Sequence, residues 1–306
     1  MRAIVVGLGV QGYKRRKFAG AEYVAATDPV NPEADFKSVE DVPLESYDSA
    51  LVCVPDEPKV ELLRYLLSHG KHVLIEKPLW AARDEDISAL ESIARAKNAV
   101  CYVAYNHRFE PHYVRMRDLI ASGELGRLYS CRMFYGNGTA RLVRESAWRD
   151  QGAGVLPDLG SHLLDTCRFW FGDIADTFRV VAANRFENKA PDHVVIGSEE
   201  NHPRIELEMT LLMWRNYFTC DVLAEKGSAH IESLCKWGPS TFRKRIRVLP
   251  SGKPREELTT LPEGDPTWAL EYAHFRELCQ NRVPADLSND LWLQRTLRRL
   301  SGEALR

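Results

Sequence analysis

Short, continuously apolar runs alternate with amphipathic segments over residues 1–121. "AIVVG" (3–7), "YVAATD" (23–28), "SALVCVP" (49–55), "HVLIEKP" (72–78) and "AVCYVAY" (99–105) predict strands. None of them shows the every-other-residue polarity of a half-exposed strand, so the sheet they form is buried on both faces. Segments 11–19, 58–69 ("PKVELLRYLLSH") and 84–97 ("DEDISALESIARAK") predict the helices that cover it. This βαβ order gives a doubly wound parallel sheet.

The pattern changes after "SGELGR" (122–127). "RLYSCRMFYG", "TFRVVAA", "HVVIG", "RIELEMTLL", "YFTCDVLA", "SAHIES" and "RKRIRVLP" follow, with one helix predicted at 157–171. Ile205, Leu207, Met209 and Leu211 alternate with Glu206, Glu208 and Thr210, the period-2 signature of a sheet with one packed face. The tail returns to helix at 267–280 and 288–301. The expected division is an α/β domain at 1–121 and a second domain at 122–306, with the C-terminal helix packing back on the first. No internal repeat or low-complexity segment interrupts either.

Charge narrows the partners. Lys and Arg total 41 against 43 for Asp and Glu, a net charge of −2 among 306 residues. A polyanion binder draws its affinity from a basic excess, so a nucleic-acid partner is not expected. The seven cysteines are scattered without a CxxC pair, which fits buried thiols in a reducing cytoplasm. No signal-peptide layout opens the chain, and no apolar run is long enough for a bilayer, so no membrane partner is expected.

Gly7, Gly9 and Gly12 form GxGxxG directly after the first strand. The glycines allow a tight turn, a close approach of pyrophosphate and close helix–strand packing. Val10 and Gln11 complete this loop. Asp28 ends the second strand, where a carboxylate accepts hydrogen bonds from ribose hydroxyls and repels a 2′-phosphate. No cation follows it before Lys37, so NAD is expected over NADP. Four cations, Lys14 to Lys17, come next to the glycines; Lys14 and Arg15 are expected to add positive potential around the pyrophosphate.

Further candidates lie at strand ends and on the 157–171 helix. Val54 and Pro55 after the third strand, Glu76 and Lys77 after the fourth, and Asn106 after the fifth are candidates for the cofactor. Asp158, His162 and Asp165 fall at i, i+4 and i+7, on one helical face. That spacing suits a dipole-held Asp orienting a histidine base, and equally a capping Asp beside a surface His. No HxxxH or Cys/His cluster completes a metal set, so no metal is expected.

GxGxxG, "EKPL" and "WR…GAG…DLGSHLLD" in this order resemble the glucose–fructose oxidoreductase/inositol dehydrogenase/rhizopine catabolism (Gfo/Idh/MocA) family. The resemblance implies a Rossmann domain followed by an α+β domain with an open, mostly antiparallel sheet that commonly forms subunit contacts. It implies Lys77, Asp158 and His162 as catalytic residues, and Trp148 and Arg149 near the nicotinamide and substrate, with Tyr105 a further substrate candidate. Asn106 and Arg108 match the segment after the fifth strand.

Two departures stand out. The usual "TPNxxH" reads "VPDEPK", putting Lys59 at the histidine and Asp56 at the asparagine. The usual "GGGxLLD" reads "GAGVLPD", which is expected to tighten the helix start. Trp214, Lys236 and Trp237 are candidates for lining a pocket.

The expected activity is hydride transfer between a nicotinamide and a secondary alcohol of a sugar, aminosugar, nucleotide sugar or polyol, by a homodimer or homotetramer joined through the open sheet. The alternatives are a sugar lyase or hydrolase that recycles bound NAD, and a non-enzymatic dinucleotide-sensing regulator.

Overall fold

The computed structural model describes residues 1–146, 149–198 and 203–306. They form two compact units: Met1–Asn106 with Trp268–Gln294, and His107–Thr267 with Arg295–Arg306. The break falls between Asn106 and His107, not at 121/122. The helix after the fifth strand packs through Tyr113 onto Trp170 and Phe218, with ring centroids 5.2 and 5.1 Å apart, and so goes with the second unit.

The first unit runs β1 (Ala3–Val6), α1 (Val10–Ala19), β2 (Tyr23–Thr27), β3 (Ser49–Val52), α2 (Asp56–Ser68), β4 (His72–Glu76), α3 (Asp84–Ala96) and β5 (Cys101–Ala104). All five strands are parallel, in the order β2-β1-β3-β4-β5. Every residue of β1 and β3 is buried, as continuously apolar strands require.

The second unit contains α4 (Pro111–Ala121), β6 (Leu128–Gly136), α5 (Ala140–Arg144), α6 (Ser161–Phe171), β7 (Phe178–Asn184), β8 (His193–Ser198), β9 (Arg204–Thr210), β10 (Tyr217–Ala224), β11 (Gly227–Glu232), β12 (Ser240–Ile246) and β13 (Arg255–Leu261). They build one open sheet in the order β13-β12-β11-β10-β6-β9-β8-β7. Among the described residues, the β6–β9 pair alone is parallel in this sheet. Ile205, Leu207 and Met209 are fully buried, whereas Glu206 and Glu208 share the other face with Arg132. The alternation in sequence thus chooses the packed face.

α7 (Thr267–Asn281) and α8 (Ser288–Ala304) close the chain. Tyr272, Phe275 and Cys279 of α7 enter the core of the first unit beside Val5, Leu8, Leu51 and Leu74. Among the described residues, no helix is long and apolar enough to cross a membrane.

Candidate active site

At the carboxyl end of β1 the chain turns sharply into α1. A Cβ on Gly7 would lie 2.6 Å from the Cys53 carbonyl oxygen, and one on Gly12 2.1 Å from the Gly7 carbonyl oxygen. These two glycines let loop, strand and helix close on one another. Gly9 differs: a Cβ there meets nothing within 4 Å. It is the N-cap of α1, without a side-chain cap, and no acid stands in the first turn. The helix therefore offers backbone N–H donors and its positive dipole end to an anion, which fits a pyrophosphate.

Asp28 braces this loop. Its Oδ2 accepts from Leu8 N–H at 2.8 Å, and its Oδ1 from the N–H groups of Val30 and Asn31 at 2.9 and 2.8 Å. Burial opposes the charge, yet these three donors, with Lys37 beyond, hold the carboxyl below its ordinary range. Asn31 adds a second clasp, donating to the Leu8 carbonyl at 2.8 Å. The donor set and the ionised acid fit the ribose and pyrophosphate of a dinucleotide.

The fourth strand delivers Glu76, Lys77 and Pro78 to the same edge of the sheet. Glu76 accepts from Arg15 Nε at 2.7 Å, and Arg15 also donates to Glu271 of α7 at 2.7 Å. The Arg15 guanidinium lies 4.4 Å from the Trp268 ring centroid and is 1% exposed. Lys14 stands 5.1 Å from the same ring. The expectation of an electrostatic shoulder is therefore corrected for Arg15. Arg15 is neutralised by two carboxylates inside the unit, and with Lys14 it seats α7 against α1. Lys59, also buried, donates to Asp56 Oδ1 at 2.7 Å, the Glu76 carbonyl at 3.3 Å and the Pro78 carbonyl at 3.0 Å.

In the second unit, His162 stacks on His107 with ring centroids 4.0 Å apart and planes inclined by 17°. Lys236 Nζ lies 2.6 Å from His107 Nε2. An ammonium only donates, so a charged Lys236 makes Nε2 the acceptor of this pair. Tyr135 lies 5.5 Å from His107 and 5.4 Å from Trp237 between centroids. Burial first, and Asp158 second, push the Tyr135 phenol far above its ordinary value, so it stays protonated.

The helix that carries His162 opens differently from expectation. Residues Leu156–Gly160 form a wide π turn instead of a tightened start. This turn tucks Gly160 against β9, where a Cβ would sit 3.0 Å from Met209 Sδ. Asp158 is left partly exposed, 3.8 Å from Arg149. Asp165 does not join it: Arg108 grips that carboxylate with two bonds, of 2.9 and 2.5 Å.

Residues 2–105 match a family model described as an oxidoreductase family with an NAD-binding Rossmann fold, and residues 113–230 match the GFO/IDH/MocA C-terminal domain. The chain belongs to the GFO/IDH/MocA oxidoreductase family. It is 30% identical over 150 residues to levoglucosan dehydrogenase of Pseudarthrobacter phenanthrenivorans, covering 47% of this chain and 38% of that one. It is 23% identical over 277 residues to inositol 2-dehydrogenase 3 of Saccharopolyspora erythraea, covering 83% and 80%. With three curated relatives, levoglucosan dehydrogenase among them, the match spans only 33% to 46% of their length. A solved levoglucosan dehydrogenase in complex with NADH gives a TM-score of 0.81 at 18% identity, covering 100% of this chain and 97% of that one. UDP-N-acetylglucosamine 3-dehydrogenase GnnA from Acidithiobacillus ferrooxidans gives 0.81 at 16%, covering 100% and 99%. At such identities the likeness is one of fold.

Against this GFO/IDH/MocA framework the candidates divide by unit. Gly7, Gly9, Asp28, Val54, Pro55 and Lys77 sit on loops at the carboxyl edge of the parallel sheet, Val10, Gln11 and Gly12 in the first turn of α1, Glu76 at the end of β4, and Asn106 at the start of a short 3-10 turn after β5. Tyr105 is also there, but only 2% exposed. Asp158, His162 and Arg149 belong to the second unit. Trp148 lies outside the described residues, and Trp214 projects fully into solvent instead of lining a pocket. Sequence reasoning missed His107, although it stands between Asn106 and Arg108 in "YNHRF" (105–109). It also missed the cross-links made by Arg15 and Lys59. Their signal was spacing: Arg15 falls in a buried stripe with Gly12 and Ala19, and Lys59 in one with Leu63, Leu66 and Leu67.

Proposed function

We propose that this protein is an NAD-dependent dehydrogenase or reductase acting on a secondary alcohol of a sugar, aminosugar, nucleotide sugar or polyol. The observation that carries the reading is the glycine cradle with ionised Asp28, at the strand edge that also presents Lys77. Relatives named as levoglucosan and inositol dehydrogenases support the substrate class.

Bound NAD would supply the hydride acceptor. Gly7, Gly9, Val10, Gln11 and Gly12 would hold its phosphates, Asp28 its ribose, and Val54, Pro55, Glu76 and Asn106 the remainder. Loss of hydride from the substrate carbon requires its hydroxyl proton to leave as well, and a base working near neutral pH serves best. His162 is our base, supported by the charge of Asp158. Lys77 donates a hydrogen bond to the alcohol oxygen and stabilises developing alkoxide charge. Arg149 contacts the sugar.

The outer face of the open sheet is our candidate for the contact of a homodimer or homotetramer. Its groove is lined by Arg132, Phe134, Glu208, Tyr217, Thr219 and Asp221, and light scattering after size exclusion measures the assembly. The seven free thiols support a reducing compartment such as the cytoplasm.

The test is a panel of nucleotide sugars, aminosugars, anhydrosugars and inositols, followed at the reduced-nicotinamide absorbance with NAD and NADP in parallel. Turnover with at least one polyol and NAD, strongly reduced but still measurable in Lys77→Ala and His162→Ala, is expected. No turnover in either direction overturns the proposal.

A further inference from the structure

We propose that Lys59 is a positioning residue that fixes the Lys77 segment in its working conformation. Lys59 is 2% exposed, and its three N–H donors meet three acceptors: Asp56 Oδ1, the Glu76 carbonyl and the Pro78 carbonyl. Two of these bonds bracket Lys77, holding the backbone on either side of it. The third ties the ammonium to an acid one helical turn away.

A lysine that merely paired with Asp56 would gain as much at the surface, without the cost of desolvating its charge. Burial beneath the segment is explained by the two carbonyls. The residue type matters as well. The histidine of the resembled motif carries two nitrogens in a rigid ring and cannot donate to three acceptors. The change to "VPDEPK" therefore supplies donors and also the carboxylate, Asp56, that balances the added charge. Glu76 is gripped from the other side by Arg15, so the loop is pinned through both side chain and backbone.

The activity arm of the test rests on the proposed role of Lys77; the labelling arm does not. Wild type and Lys59→Met, without added cofactor, are treated with trace acetic anhydride. Acetylation of Lys77 is measured by peptide mass spectrometry relative to exposed Lys253. We expect Lys77 labelling to rise at least threefold in Lys59→Met, with NADH affinity within twofold of wild type. On any substrate the wild type turns over, kcat falls at least tenfold, and Lys59→Met adds no further loss in a Lys77→Ala background.

Unchanged Lys77 labelling in folded Lys59→Met overturns the proposal, as does an equal loss of kcat in both backgrounds. If Lys59→Met does not fold, Asp56→Asn carries the same test, because its side chain is 52% exposed and its loss leaves the core intact. A smaller rise in Lys77 labelling is expected there, and no rise overturns the proposal. A wild type inactive on every substrate refutes the dehydrogenase reading alone, since the labelling still decides the role of Lys59.

Discussion

Gly9→Ala separates what the cradle does for a ligand from what it does for the fold. Gly9 has φ −87° and ψ −164°, a backbone alanine adopts freely, and its Cβ would touch nothing within 4 Å. Replacing glycine in a compatible conformation stabilises by ~0.4–1 kcal/mol through the unfolded chain. Alanine is a poorer N-cap than glycine by a similar amount, so the two effects nearly cancel. The melting temperature should stay within about 2 °C, at roughly 2–4 °C per kcal/mol for a chain of this size.

The added methyl instead occupies the space over which the pyrophosphate is expected to pass. A tenfold or greater loss of NADH affinity should follow, about 1.4 kcal/mol. Gly12→Ala is the contrast, because its Cβ would lie 2.1 Å from the Gly7 carbonyl oxygen, and neither backbone can give. Overpacking of this kind costs ~1–3 kcal/mol, so that variant should melt several degrees lower even without ligand. Thermal melts without cofactor and NADH fluorescence titrations read the two effects separately. Wild-type NADH affinity in Gly9→Ala would refute a pyrophosphate path across Gly9.

Other substitutions test the electrostatics. Arg15→Met removes the cation shared by Glu76 and fully buried Glu271, and should cost about 3–5 kcal/mol of stability in urea unfolding, partly recovered by adding Glu271→Gln. Glu110 is buried, and burial raises its carboxyl despite the Cys235 N–H that it accepts at 2.8 Å. The unfolded chain therefore ionises first, and Glu110 should erode stability as pH climbs from the ordinary carboxylate range towards its folded value. Glu110→Gln should remove that decline in melts taken across pH. Asp28 has the opposite sign: its folded value is depressed, so its stabilisation is complete above the ordinary range and is lost as pH falls through the folded one. Melts of Asp28→Asn should show a flatter acid limb and no gain from wild-type ionisation.

Much of the fold was legible because its periodicities are strong. Continuous apolar runs named all five parallel strands, and the alternation around Ile205–Leu211 named the packed face of β9. What escaped was weak in pattern or long in range. β13 (Arg255–Leu261) is largely exposed, so "REELTTL" carries no apolar face to announce it. The unit boundary escaped because α4 belongs to whichever core Tyr113 enters, and that is a tertiary choice. At the turn after β1, Gly7 and Gly12 were readable since close backbone approach alone demands glycine there. The pairing of Asp165 with Arg108 was not, because a helical wheel gives a face but not the partner 57 positions away.

The four-cation run, Lys14 to Lys17, shows why composition could argue against a polyanion partner yet not say what the cations do. A cation near a phosphate cradle has two uses: to face the ligand, or to hold the cradle's own scaffold. Burial decides between them, since a guanidinium 1% exposed and bonded to Glu76 and Glu271 has no charge left to offer a dinucleotide. Its partners lie 61 and 256 positions away, so only the folded chain reveals them. Lys59 repeats the logic on the opposite flank of Glu76. Both cations take apolar-stripe positions on helices beside the sheet edge, and both end on the segment that carries Lys77. A buried cation is tolerated only where its acceptors are fixed, so the cost of burying two is also a constraint that keeps this loop in one conformation.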